Sequence, residues 1–333
     1  MKNILMKSIV LQLVLVLSAL SLTGCDQQPA NGTTSQKLSY PYTIITTTGM
    51  INDITRQIAG EKANTKALIG EGVDPHLYTP TRNDVAALQG ANIIFYNGLL
   101  LEGKMSDLFV RLATKGRPIY AVTESIDHQY LVEPDDGEGH HDPHVWMDVS
   151  AWTMAVNVIT DKLSKFDQAN AAYYKKNAEQ YVGELKKLHD YAKQSIASIP
   201  KESRILITAH DAFNYLGKAY DIEVMGIQGL STESKAGLQR INNLVDLIVK
   251  RKVKAVFVES SVSDKNVKSI IEGAKAAGHE VVIGGELYSD AMGKANTYPG
   301  TYVGMIDHNI TTITKALGGQ VPDKGLNGQL THE

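Results

Sequence analysis

The segment "GHHDPHVWMD", Gly139 to Asp148, places His140, His141 and His144 within five positions of a chain that has only ten histidines. Imidazole is a common metal ligand and titrates near neutral pH, so such a cluster could hold a metal ion or move a proton. The tripeptide Asp-Pro-His occurs twice, at Asp74-Pro75-His76 and at Asp142-Pro143-His144. Proline fixes its own φ and pushes the residue before it into an extended shape, so each histidine leaves a stiff loop. Preorganisation of this kind suits a tight metal ligand. Two further residues have the right chemistry: His210 at the end of the run "SRILITAH", and Asp290 in "GGELYSDAM". The single cysteine is Cys25, so any metal in the body of the chain must be held by nitrogen and oxygen.

From Tyr42 onward, short β-rich runs alternate with helical patterns, the mark of βαβ units and a mostly parallel sheet. Strands are expected at 42–48, 65–70, 92–98 and 118–123, and again at 203–210, 222–227, 255–260 and 280–285. Between the two sets, Gln168 to Ile199 contains no proline, and Tyr174, Ala178, Tyr181, Leu185, Leu188 and Ala192 recur at three- and four-residue steps. This is one apolar stripe on a long helix, with Asp167 as its N-cap. Thirty helical residues span roughly 45 Å, enough to run along the backs of two lobes. The fold expected is α/β, with two similar lobes, each a mostly parallel four-stranded sheet with helices on both faces, joined by one long α-helix.

In open α/β sheets, ligands bind beyond the carboxyl ends of the strands. His76, His144, His210 and Asp290 all fall in loops that follow strands, two in each half. Each has a plainer reading taken alone: a lone histidine is usually structural, His210 with Asp211 could cap a helix, and Asp290 could be an N-cap. The set of four is what points to a metal in a cleft. His140 and His141 follow the acidic, flexible "PDDGEG", and a solvated loop is preferred there over transient metal capture. His128, His189, His279 and His308 lie in helix or surface patterns, and His332 sits near the C-terminus. Glu259 ends the strand "AVFVE" and could orient His210, since ligating histidines usually donate their second N–H to a carboxylate; it could equally cap the helix near Asp264. Glu286 is a weaker candidate.

The start of the chain, "MKNILMKSIVLQLVLVLSALSLTGC", has two lysines, a short apolar run and small residues before Cys25. The run is too short to span a bilayer, which takes about 20 apolar residues, and fits a secretory signal. Leu22-Thr23-Gly24-Cys25 is similar to a bacterial lipobox, which makes Cys25 the expected lipidation site. The divisions expected are a signal peptide at 1–24, a lipid-anchored tether at 25–40, an N-terminal lobe at 41–166, the linking helix at 167–200 and a C-terminal lobe at 201–333. The formal net charge is −3, made two charges more negative by removal of 1–24, and no basic block appears, so nucleic acid is not expected as a partner.

The chain closely resembles the TroA-like (cluster A-I) metal-binding lipoproteins, the solute-binding components of bacterial ATP-driven (ABC) importers for zinc, manganese or iron. The resemblance rests on "VDPHLYTPTRNDVAAL", "DPHVWMD", "TAHDAFNYL", "GIQGLSTESKAG", "FVESSVSDKNV", "GGELYSDAMG" and "GTYVGMIDHNI", and spans the whole chain after the signal. It implies a monomer with a metal buried between two lobes, and ligand positions that fall on His76, His144, His210 and Asp290. The third position is glutamate in manganese-specific members and histidine in zinc-binding or mixed ones. Zinc-specific members often carry a long His-rich loop, of which "DDGEGHHDPH" is a short version. The implied partner is the membrane permease of a metal importer. The implied location is the periplasmic side of the inner membrane or the cell surface.

Three imidazoles and a carboxylate suit Zn2+, while a bidentate Asp290 would raise the coordination number toward what Mn2+ and Fe2+ tolerate. At nitrogen and oxygen sites zinc binds more tightly than manganese or iron(II). The function expected is therefore metal capture and delivery, not catalysis. The alternative is a secreted zinc-dependent hydrolase using the same ligands, with Glu259 as general base; it would need a coordination position open for water.

Overall fold

The computed structural model describes residues 38–133 and 140–331. The signal peptide, most of the tether, Cys25 and His332 lie outside the described residues. The first half opens with β1 (Tyr42–Thr46), α1 (Gly49–Ala59), β2 (Ala63–Ala67), α2 (Arg82–Gly90), β3 (Ile93–Tyr96), α3 (Ser106–Thr114) and β4 (Ile119–Ala121). These strands form one parallel sheet in the order β2-β1-β3-β4. The order reverses between β1 and β3, so the loops after them part at the carboxyl edge and leave a crevice there. Runs such as "IIFY" on β3 are buried on both faces, as expected of a parallel sheet covered by helices. Ile45, Leu88, Ile94, Met105, Phe109 and Leu112 pack the core of this half.

The second half holds β5 (Ile205–Thr208), α6 (Asn214–Tyr220), β6 (Glu223–Gly226), α7 (Leu238–Arg251), β7 (Ala255–Glu259), α8 (Lys265–Ala276), β8 (Val282–Leu287) and α9 (Tyr302–Ala316). All four strands are parallel to their partners, but the ladders run as two pairs, β5 with β6 and β7 with β8. β5 lies against β7, and a register shift at Val256/Phe257 marks the irregular part of the β7–β8 ladder. A separate core of Ile205, Ile207, Leu244, Ile248, Val256 and Ile270 fills this half. Two cores, each under its own parallel strands, give the two-lobed α/β architecture.

Two helices lie between the halves in sequence: α4 (Val149–Phe166) and the long α5 (Ala171–Ala197). The six stripe residues of α5 are all buried. α5 packs against α1 and α4, which precede it in the chain, and against α6 and α9, which follow it. Asp167 is not its N-cap. A single 3₁₀ turn, Gln168–Asn170, precedes α5, and the Asp167 carboxylate accepts hydrogen bonds from Tyr40 Oη (2.8 Å), Asn170 Nδ2 (2.8 Å) and Tyr174 Oη (2.5 Å). The carboxylate is thus committed to three side-chain donors. Tyr40, at the end of the expected tether, is thereby docked onto the body.

Candidate metal centre

His76 sits in the long loop between β2 and α2. Asp74 Oδ1 accepts the His76 backbone N–H (2.8 Å), an Asx turn built on Asp-Pro-His. Downstream, Thr81 and Asp84 form a reciprocal capping box at the start of α2, and Tyr78 Oη donates to the same Asp84 carboxylate (2.6 Å). The loop is thus anchored on both sides of the histidine.

His144 is held more firmly. Asp142 Oδ1 accepts both the His144 backbone N–H (2.9 Å) and ring Nδ1 (2.7 Å), while Asn97 Nδ2 donates to the Pro143 carbonyl (3.0 Å). In the second half Glu259, at the end of β7, does the same for His210: one oxygen accepts the backbone N–H (2.8 Å) and the other meets ring Nδ1 (2.5 Å). In both cases the carboxylate takes Nδ1–H, which turns the lone pair of Nε2 outward to a fixed point. Glu286, by contrast, is exposed, and its carbonyl accepts from His308 Nε2 (3.0 Å).

Asp290 follows β8 on a loop fixed at consecutive residues. Asn309 of α9 pairs with both the N–H and the carbonyl of Tyr288 (2.9 and 2.7 Å). Trp146, two residues after His144, donates its indole N–H to the Ser289 carbonyl (2.9 Å). Tyr302 Oη in turn donates to the Trp146 carbonyl (2.7 Å).

These loops bring His76, His144, His210 and Asp290 together. One ligand atom from each lies within 4.8 Å of the others, and all four residues are buried. His76 Nε2 is 3.3 Å from His144 Nε2. Asp290 Oδ1 is 3.4 Å from His144 Nε2, and Oδ2 is 3.2 Å from His210 Nε2 and 3.9 Å from His76 Nε2. A tetrahedral zinc with nitrogens at 2.0–2.1 Å sets two of them about 3.3 Å apart. His210 Nε2 and both Asp290 oxygens are buried without a hydrogen-bond partner among the described residues. Buried polar atoms are almost always satisfied, so three that face only one another and a neighbouring imidazole call for a shared positive charge, a proton or a metal ion.

The electrostatics agree. Burial pushes His76 down to about 3, so it is neutral at physiological pH. Burial also works against a charge on His144, but the Asp142 and Asp290 carboxylates outweigh it and lift its pKa to about 9. His210 is raised well above its ordinary value, with Glu259 and Asp290 overcoming burial. Asp290 is held well below the usual carboxylate range because His210 and His144 overcome its burial. Without a metal, protons on two imidazoles supply the positive charge that the aspartate needs.

His140 and His141 line the mouth of the cleft with His76, Leu99, Leu100 and Leu230. His141 Nε2 lies 3.0 Å from His128 Nδ1, a pairing that the sequence pattern does not announce. Gly98, Leu99 and Leu100 all have positive φ (91°, 51° and 64°), unusual for leucine and a source of strain. The buried Glu102 carboxylate holds this turn by accepting from Thr47 Oγ1, Asn97 N and Gly98 N.

The family profile described as zinc-uptake complex component A, periplasmic (ZnuA), matches residues 44–316. The chain belongs to the ZnuA family. Among other members, the manganese-binding lipoprotein MntA of Bacillus subtilis is 43% identical over 307 residues, covering 92% of this chain and 98% of MntA. The zinc-binding protein TroA of Treponema pallidum is 44% identical over 274 residues, covering 82% of this chain and 88% of TroA. The solved structure of periplasmic TroA superposes with a TM-score of 0.80 at 43% identity, covering 83% of this chain and 99% of that one. ZnuA-family proteins are solute-binding components of importers, not enzymes, and the two-lobed α/β fold described above is theirs.

Proposed function

We propose that this ZnuA-family protein captures a divalent transition metal, zinc or manganese and also iron(II), between its lobes and delivers it to the permease of an ABC importer. Three imidazoles and Asp290 are the ligands in this reading. The observation that carries it is the convergence of one buried ligand atom from each of His76, His144, His210 and Asp290 within 4.8 Å. His210 Nε2 and both Asp290 oxygens make no hydrogen bond among the described residues and face only one another and the neighbouring imidazoles. Both Asp290 oxygens face the imidazole nitrogens, so the carboxylate can bind through one for zinc or both for a larger coordination number. Relatives named for zinc and for manganese are equally similar to this chain, in keeping with such a site. The hydrolase alternative has little to stand on, because both oxygens of its only general base, Glu259, are engaged by His210.

Metal binding needs neutral imidazoles. His144 keeps its proton up to about pH 9 and His210 keeps its own above the ordinary range, so at pH 7 an incoming ion must displace them. Binding should therefore release protons and tighten as pH rises from 6 toward 9, by about 1.4 kcal/mol per pH unit for each proton displaced. Calorimetry with Zn2+ in buffers of different ionisation heat tests this. One-to-one binding with proton release is expected, and zinc should displace manganese. Absence of saturable binding would remove the proposal.

The lobes are taken as residues 41–166 and 201–333, with 167–200 linking them. No helix among the described residues is long and apolar enough to cross a membrane. We place the protein outside the cytoplasm as a monomer, held by lipid on Cys25 at the inner membrane or the cell surface through the tether 25–40. Cys25→Ala should shift it from the membrane to the soluble fraction; membrane retention by that variant would exclude this anchor.

A further inference from the structure

Asp74 and Asp142 each use one oxygen to orient a histidine of the first half. Asp74 Oδ1 accepts from the His76 backbone, and Asp142 Oδ1 accepts from the backbone and ring of His144. The remaining oxygen of each is taken by a side chain of the second half. Thr232 Oγ1 donates to Asp74 Oδ2 (2.5 Å), and Asn214 Nδ2 donates to Asp142 Oδ2 (3.1 Å). Thr232 lies on the irregular loop between β6 and α7, and Asn214 is the first residue of α6, four residues after His210. The two donors thus come from separate elements of the second half, yet each ends on the aspartate beside a first-half ligand.

Resting on the metal-capture reading, we propose that Thr232 and Asn214 are positioning residues, a pair of cross-lobe clasps that lock the two histidine-orienting aspartates when the halves meet. A carboxylate bonded on one side only can swing about its χ2, and the histidine it holds swings with it. A donor from the opposite half fixes both oxygens, so that closing the cleft and aiming the imidazoles become one event. The two clasps differ in depth. Asp142 is wholly buried and further tied by Tyr215 Oη, which donates to its carbonyl (2.8 Å). Asp74 and Thr232 are only half-buried. The Thr232–Asp74 clasp is therefore the one that opens first, and it governs how fast the metal leaves.

The test is zinc release from the loaded full-length protein into excess chelator, with the cobalt(II) absorption spectrum as a report on ligand geometry. Thr232→Val keeps the shape of the side chain and removes its hydroxyl; Thr232→Ser keeps the hydroxyl. Loss of such an outer partner typically costs about 10–100-fold in metal affinity. Thr232→Val is expected to release zinc about 10-fold faster, with an altered cobalt spectrum and an unchanged Tm of the metal-free protein. Thr232→Ser should restore the wild-type rate and spectrum. Zinc release by Thr232→Val at the wild-type rate would overturn the clasp while leaving the metal site standing. Failure of the wild-type protein to load zinc at all would overturn both.

Discussion

Asp290→Ala is expected to lower zinc affinity by roughly two to three and a half orders of magnitude, the equivalent of about 3–5 kcal/mol. Asp290 is the only anion among the four converging residues, and both its oxygens are buried and face the Nε2 atoms of His144 and His210. Without it, a doubly charged ion would have only neutral imidazoles as direct ligands, with the Asp142 and Glu259 carboxylates one hydrogen bond further out as its nearest buried anions. Part of the loss is offset, because the aspartate also helps hold protons on His144 and His210 against the metal. Asp290→Asn keeps one carbonyl oxygen and should fall between alanine and wild type. Competition against a chelator of known zinc affinity gives the number. An alanine variant that binds as tightly as wild type would show that the carboxylate is not a ligand.

The second large effect concerns which histidines matter. His210→Ala should lower zinc affinity by two orders of magnitude or more, on the order of 3 kcal/mol, while His140→Ala and His141→Ala change it little. His210 is fully buried with its ring clamped by Glu259, whereas His140 and His141 belong to the mouth of the cleft. The same substitution has a separate structural consequence. It strips the buried Glu259 of its ring partner, so the metal-free protein should melt several degrees lower. Adding Glu259→Gln to His210→Ala should recover that stability without recovering affinity. Titration calorimetry and thermal denaturation of the four variants separate the two effects. Similar affinity losses in His140→Ala, His141→Ala and His210→Ala would defeat the assignment.

Much of the fold was legible because it depends on local burial. Runs such as "AVFVE" and "ILIT" are apolar and β-branched because parallel strands are covered on both faces, and all eight were placed. The stripe on α5 was legible for the same reason, since one buried face imposes a helical period. What local pattern does not record is which distant donors meet. The pairing of the second-half strands two by two, the three side chains that converge on Asp167, and the Trp146–Ser289 bond between residues 143 positions apart leave no spacing to read. Asp74 and Asp142 are a different case. An aspartate two residues before a histidine is an Asx-turn signal, so Asp-Pro-His carried its orienting carboxylate in plain view beside the proline. Their second bonds, to Thr232 and Asn214, were beyond reach of the sequence.

X-ray absorption at the zinc edge of the loaded protein tests the central claim most directly. The spectrum predicted is that of three imidazole nitrogens near 2.0–2.1 Å, about the usual zinc–nitrogen distance, with one or two carboxylate oxygens. A shell with fewer than three imidazoles, or one made mostly of water, would contradict the convergence of His76, His144, His210 and Asp290 on a single ion.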